Sequence, residues 1–293
     1  MYPTLFRIGP VGIHTFGLMM ACGFMAALVV LQREYSRRGI DSELASSVIF
    51  MSIVGGIAGA KLYYVGLTGW DLSALLSGAG LAWYGGLMGG VTAVLAMLLR
   101  DKRIARLDAN GNVVGRRLGD AVDPVGPATL AGQMCGRIGC FLSGDGDYGP
   151  PTDAAWALAF PNGTIPTVVD GNAIAVHPTM LYDVVMLAAA FGVAWTLRKS
   201  LDRRPGALFG LSLILLASVR FVSEFWRLTK VFAFTSTPMG WETRTLRDHV
   251  HGVEWQGSLM VHGVSEFQIW SLITIAGGAA VMWLAWSRSR QNA

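Results

Sequence analysis

Residues 11–31 read VGIHTFGLMMACGFMAALVVL, with no Asp, Glu, Lys or Arg among them. A bilayer core about 30 Å thick is crossed by about 20 predominantly apolar residues in a helix. This stretch therefore sets the solvent in which the chain folds, and that solvent is lipid. Windows of similar character follow at 44–65, 79–99, 121–142, 176–197, 207–226 and 267–286. In hydrocarbon every backbone polar group must pair within the protein, which leaves helices or a closed barrel. The alternating pattern of barrel strands is absent, so the expected fold is all-α. It is a polytopic membrane protein with about seven transmembrane helices, one domain over residues 1–293, and a small part outside the membrane.

Composition agrees. The 293 residues are 53% hydrophobic and 14% charged, against roughly a quarter charged in soluble domains. Thirty-seven glycines suit helices that approach closely in lipid. The first window has no basic run ahead of it beyond Arg7 and no small-x-small cleavage site, so it reads as a retained span rather than a signal peptide. Cys22, Cys135 and Cys140 all fall in apolar segments and match no zinc spacing, so they read as small packing residues. No metal or cofactor is expected.

A pI near 9.1 could suggest nucleic acid, but the placement of the basic residues points to topology instead. Arg33, Arg37 and Arg38 follow the first window. Arg100, Lys102, Arg103, Arg106, Arg116 and Arg117 follow the third. Arg198, Lys199, Arg203 and Arg204 follow the fifth, and Arg288 and Arg290 end the chain. The opposite side has only Arg7, Arg227, Lys230, Arg244 and Arg247. Positive-inside bias then places the N-terminus outside and the C-terminus in the cytoplasm. Residues 143–175 and 227–266 become external loops. The first is rich in Gly, Pro and Asp, contains Trp156, Leu158 and Phe160 in alternation, and suits a small hairpin. The second holds Phe232, Phe234, Trp241 and Trp255, rings that favour the membrane interface.

The charges inside the windows carry the chemistry. Lys61, Arg137, Arg220 and Glu224 each lie where a charge costs about 2.5–3.5 kcal/mol on insertion scales, so pairing or function must offset them. Glu224 follows Arg220 by four residues and shares its helix face. That spacing fits a structural ion pair as well as a site. Arg137 lies in the Gly-rich run GQMCGRIGCFLSGDGDYG, residues 132–149. A guanidinium forks onto two phosphate oxygens, which an ammonium cannot do. By the topology above, Arg137 and Arg220 lie toward the outer leaflet, where two arginines aimed at one cavity would clamp a lipid phosphate. The run WYGGLMGG, residues 83–90, fits either tight helix packing or a Gly-rich lining of that cavity. His14, His177, Tyr182 and Asp183 fit structural hydrogen bonding.

These pieces, IGPVGIHTFGLM, WYGGLMGG, GRIGCFLSGDGDYG, HPTMLYD and RFVSEFWR, occur in one order along the spans. In that order and spacing they resemble bacterial prolipoprotein diacylglyceryl transferases, over roughly residues 7–286. The resemblance implies transfer of a diacylglyceryl group from phosphatidylglycerol to the lipobox cysteine of a preprolipoprotein in the bacterial inner membrane, with glycerol phosphate leaving. The external loops would then be periplasmic. It implies that Arg137 and Arg220 hold the phosphate, with Glu224 orienting Arg220. It further implies that Gly85, Gly86, Gly136, Gly139, Gly144, Gly149, Asp145, Lys61 and His14 line or shape the substrate site. Gln268 matches a polar position in the last span. The chain departs from the family at Tyr84, where a His precedes two glycines, at Cys140, where an Asn stands, and at Phe16 and Leu216, where Tyr is usual. Tyr84 then joins Arg137, Arg220 and Glu224 as a candidate catalytic residue, although a Tyr, with a reference pKa near 10, is a poorer base for a thiol than a His. Either the thiol loses its proton another way, or the chain binds or flips lipid without alkylating a thiol. A channel or transporter fits intramembrane charge too, but no internal repeat supports it.

Overall fold

A computed structural model describes residues 2–9, 11–67, 70, 83–107, 113–116, 118–227, 231–233, 240–242 and 263–291. The eight α-helices described are α1 (Thr15–Arg38), α2 (Leu44–Leu67), α3 (Trp83–Arg100), α4 (Leu118–Val122), α5 (Val125–Ser143), α6 (Thr179–Leu197), α7 (Ala207–Ser223) and α8 (Glu266–Gln291). Each of the seven apolar windows holds one of these helices among its described residues, although Val11–His14, at the start of the first, is a strand paired with Thr4–Ile8. Among the described residues, five helices are long and apolar enough to cross a membrane: Thr15–Arg38, Leu44–Gly66, Thr179–Leu197, Ala207–Trp226 and Glu266–Ser289. Gly85–Arg100 is a shorter apolar helix. Large apolar side chains such as Met25, Phe50, Ile57, Val185 and Trp283 are exposed on the spans, as lipid-facing surfaces require. The protein is an all-α, multi-pass membrane protein.

The chain divides into two compact units, residues 27–125 and residues 1–26 with 126–293. In the first, α2 and α3 meet along facing glycines. A Cβ added to Gly89 would lie 2.2 Å from the Gly55 carbonyl oxygen, and one on Gly59 would lie 2.2 Å from that of Gly85. Only hydrogen at these positions allows the backbones so close, the small-xxx-small seam of membrane helices. α1 also runs further than its apolar window. Arg38, expected among loop cations, is buried at the helix end, 3.2 Å from Asp123, 3.8 Å from Glu34 and 3.9 Å from Asp120. The Tyr35 hydroxyl donates to the Ala121 carbonyl at 2.9 Å. The positive residues at this end therefore act partly as ties between α1 and α4.

In the second unit α7 and α8 are joined by a glycine contact of the same kind. A Cβ on Gly278 would lie 2.7 Å from the Gly210 carbonyl oxygen. Leu130, Leu187, Ala190, Ala194 and Leu208 form the buried core of α5, α6 and α7. α8 begins with a capping box. The Ser265 hydroxyl accepts from the Gln268 N–H at 3.1 Å, and the Gln268 side-chain carbonyl accepts from the Ser265 N–H at 3.0 Å. Two otherwise orphaned donors at the helix start are satisfied reciprocally. The Arg198 and Arg204 guanidiniums lie 4.0 and 3.6 Å over the Trp195 and Trp286 rings, cation–π contacts that fix these charges at the helix ends.

The expected hairpin is present at Val168–Val169 and Asn172–Ala173. Asp170 and Gly171 form its turn with φ of 50° and 84°, the positive pair a two-residue hairpin demands. The alternation of Trp156, Leu158 and Phe160 is not a strand. Phe160 is fully buried against Tyr148, Val176 and Met180, and hangs the loop on the end of α5 and the start of α6. Most of 227–266, including Phe234 and Trp255, lies outside the described residues.

Candidate active site

The second unit brings charges from four places in the chain to one cluster. Arg137 projects from α5. Asp147 lies in the loop that leaves α5, Asp183 in the first turns of α6, and Arg220 in the last turn of α7. Glu224 caps α7, and Arg227 follows the single 3-10 turn Glu224–Trp226. The spacing of Arg220, Glu224 and Arg227 places all three on one helical face.

One chain of ion pairs links them. Arg137 reaches Asp147 through Nη1 and Asp183 through Nε, the latter at 3.1 Å. Arg227 reaches the other oxygen of Asp147 through Nη2, with Asp183 and Glu224 at 3.9 and 3.8 Å. Arg220 pairs with Glu224 at 3.0 Å, and its guanidinium lies 4.3 Å over the Phe267 ring. Three guanidiniums thus meet three carboxylates. Burial alone would raise the Asp147 carboxyl, but the positive charges of Arg227, Arg137 and Arg220 outweigh it and hold it well below the usual carboxylate range.

The ion-paired groups are matched in number but not in hydrogen bonds. Among the described residues, Arg220 Nη1 and Arg227 Nη1 are buried and find no hydrogen-bond partner, and neither do the carboxylate oxygens of Asp183 and Glu224. The Arg137 and Arg220 side chains keep 17% and 16% of their surface exposed. Forked donors in a low-dielectric site, partly open and with N–H groups to spare, are suited to a phosphate.

Local structure explains the placement. Gly144 turns the chain after α5 with a φ of 59°, and a Cβ there would lie 2.8 Å from the Gly163 Cα. At Gly149 a Cβ would lie 2.0 Å from the Trp226 carbonyl oxygen. The loop therefore passes against the residue before Arg227 only because position 149 has no side chain. The Gly149 N–H donates to the His177 carbonyl at 2.9 Å, and the Thr179 hydroxyl donates to the Asp147 carbonyl. The His177 ring contacts the Tyr182 hydroxyl at 3.0 Å, and Trp156 donates to that hydroxyl at 2.7 Å. Burial pushes the His177 imidazole below its usual range.

A family model described as prolipoprotein diacylglyceryl transferase matches residues 3–284. This chain belongs to the prolipoprotein diacylglyceryl transferase family. Its relatives include proteins named phosphatidylglycerol–prolipoprotein diacylglyceryl transferase. That of Clostridium tetani is 30% identical over 236 residues, covering 78% of this chain and 86% of the relative. That of Pasteurella multocida is 30% identical over 237 residues, covering 77% and 78%. That of Pseudoalteromonas atlantica is 29% identical over 298 residues, covering 98% and 90%.

Among the residues expected at the site of this prolipoprotein diacylglyceryl transferase family member, Arg137, Arg220 and Glu224 share the ion-pair chain. Asp145 borders it. Its carboxylate, that of Asp147 and the Cys140 sulfur lie within 4.8 Å of one another. Cys140, expected as a packing residue, is buried with its sulfur 3.9 Å from Arg137 Nη1. Gly136 and Gly139 face the start of α1, with Met20 Sδ and Met19 Cβ 3.9 and 2.9 Å from where their side chains would begin. His14 is exposed, with Nδ1 3.3 Å from the Thr4 hydroxyl. Lys61 is half-buried in α2. Gly85 packs against Tyr63 and Gly59, and a Cβ on Gly86 would lie 3.5 Å from the Gly56 carbonyl oxygen. These two glycines serve the α2–α3 seam. Tyr84 opens α3, and its side chain lies outside the described residues.

Three members of the cluster escaped the sequence reading. Arg227 reads in the sequence as a loop cation, although its i, i+3 spacing from Glu224 is a usable signal. Asp183 was grouped with structural residues, although a carboxylate in the first turns of an apolar span itself needs a partner. Of the two acids in DGD, the resemblance selected Asp145, and the structure places Asp147 on the arginines.

Proposed function

We propose that this protein transfers the diacylglyceryl group of phosphatidylglycerol to the lipobox cysteine thiol of a preprolipoprotein. A thioether forms, and glycerol phosphate leaves. The observation that carries this reading is the convergence of Arg137, Arg220 and Arg227 on one partly open cluster with unused N–H donors.

The chemistry suits the cluster. The thiolate sulfur attacks the glycerol carbon that bears the phosphate, and the C–O bond breaks. A phosphodiester with one negative charge becomes a monoester with two. The added charge grows on oxygens facing the guanidiniums, so the attraction is stronger in the transition state than in the bound lipid. Arg220 is held by Glu224 and by the Phe267 ring, which fixes the direction of its fork. A free thiol of pKa near 8.5 is already a few per cent thiolate at neutral pH, so the reaction does not demand a His at position 84.

The reading places the protein in the bacterial inner membrane with its N-terminus outside and its C-terminus in the cytoplasm. The loops at 143–175 and 227–266 are then periplasmic, on the side where Arg137 and Arg220 meet the outer leaflet. Lipid would enter through the bundle side, and no nucleic acid takes part. The test is to incubate the purified protein with phosphatidylglycerol and a lipobox peptide. A cysteine-linked diacylglyceryl mass increase is expected. Its absence, where another family member gives the adduct, rejects the reading.

A further inference from the structure

The Asp147 carboxylate is the most unusual member of the cluster. One of its oxygens takes Arg137 and the other takes Arg227. A single anion with two oxygens thus spans two guanidiniums. A phosphodiester offers the same features, one negative charge shared by two free oxygens. We propose that Asp147 is a resident stand-in for the lipid phosphate, holding the arginine forks in register before lipid binds and giving them up to the headgroup. This rests on the reading that the cluster holds a phosphate.

Three observations favour Asp147 over the other carboxylates as the one that yields. Its side chain is 30% exposed, against 3% for Asp183 and 0% for Glu224. It lies on a loop, whereas the other two are fixed to helix ends. Glycines 144 and 146 before it have φ of 59° and 96°. Its backbone is tied, because Thr179 donates to its carbonyl. The exchange is therefore a side-chain rotation rather than a loop opening.

Charge balance gives the reason for an exchange. The three guanidiniums already face three carboxylates, and Asp145 adds a fourth within 4.8 Å of Asp147. A phosphate added without displacement would bring a further negative charge into a low-dielectric site, which is strongly disfavoured. With Asp147 turned toward solvent, phosphate takes its place and the number of anions around the arginines is unchanged. The cost of displacing a native anion then sets the affinity for the headgroup. It also helps the product, a phosphate monoester, to leave, because Asp147 competes for the same forks.

The experiment uses the full-length protein in detergent, titrated with inorganic phosphate. Binding is read by calorimetry and by the shift of the thermal midpoint. Wild type, Asp147→Asn, Asp147→Ser and Arg137→Ala are compared. Both Asp147 variants are expected to bind phosphate about ten-fold more tightly than wild type, the scale of one charge-assisted contact no longer displaced. A residue that merely supports the fold would not raise affinity when removed. Unchanged or weaker binding in both variants, with wild-type binding still dependent on Arg137, overturns the proposal and leaves the phosphate site standing. Loss of folding in both variants also overturns it, since an anion that leaves during turnover cannot be one the fold requires. Absence of Arg137-dependent binding in every protein removes the phosphate site itself.

Discussion

Replacing Arg137 with Lys keeps the charge and removes the fork. Arg137 serves two carboxylates from two different nitrogens, Nη1 to Asp147 and Nε to Asp183 at 3.1 Å. One ammonium cannot reach both. Hydrogen bonds to charged groups contribute about 1.5–3 kcal/mol each, so losing one in the transition state slows transfer about ten- to hundred-fold. A second penalty falls on Asp183, which is almost fully buried and keeps only Arg227 at 3.9 Å. A buried charge deprived of its partner is destabilising, so the thermal midpoint should fall as well. The assay is the initial rate of adduct formation on a lipobox peptide, followed by mass spectrometry, for wild type, Arg137→Lys and Arg137→Ala. The Lys variant should lie within about three-fold of the Ala variant, both far below wild type. A Lys variant that keeps more than about half of the wild-type rate would mean that a point charge suffices, and the fork argument would fall.

Other consequences follow from single contacts. Gly149→Ala places a methyl 2.0 Å from the Trp226 carbonyl oxygen, so Arg227 must shift; activity should drop about ten-fold or more, the cost of one misplaced charged contact, with near-normal helical content by circular dichroism. Gly89→Ala drives a methyl to 2.2 Å from the Gly55 carbonyl; forced overpacking costs about 1–3 kcal/mol, seen as a lower thermal midpoint in detergent, and an unchanged midpoint would deny the seam. Asp147 is held below its usual range, so its ion pairs stabilise the fold above its unfolded value near 3.9 and are lost as pH falls from there toward the lower folded value. The wild-type thermal midpoint should therefore fall more steeply below about pH 4 than that of Asp147→Asn; parallel curves would show that Asp147 contributes no such linkage.

The helices were the legible part. Each apolar window holds a helix among its described residues because lipid allows little else, and hydropathy reports that constraint directly. Arg137, Arg220 and Glu224 were legible for the complementary reason, since charge in such a window stands out against its surroundings. Asp147 and Arg227 did not stand out, because each lies just beyond an apolar window, where charge is ordinary. Glycine was the ambiguous signal. Gly85 and Gly149 look alike in sequence, yet one closes a helix seam and the other lets a loop approach the residue before Arg227. A missing side chain records close approach without naming what approaches. The reach of α1 was hidden too, because Arg37 and Arg38 read as a loop when hydropathy alone decides the helix end.

The spread of the ion pairs along the chain bears on how the protein is made. α5 carries Arg137 and is not among the five helices apolar enough to cross on their own. Its partner Asp183 belongs to α6, and the third cation of the cluster is synthesised only after α7. A ribosome that has just delivered α5 and the loop after it has therefore produced Arg137 with Asp147, but not yet Asp183. The cluster stays incomplete until α6 and α7 follow. Biogenesis of this bundle is thus a delayed, collective event, and a stop placed after α5 would strand it.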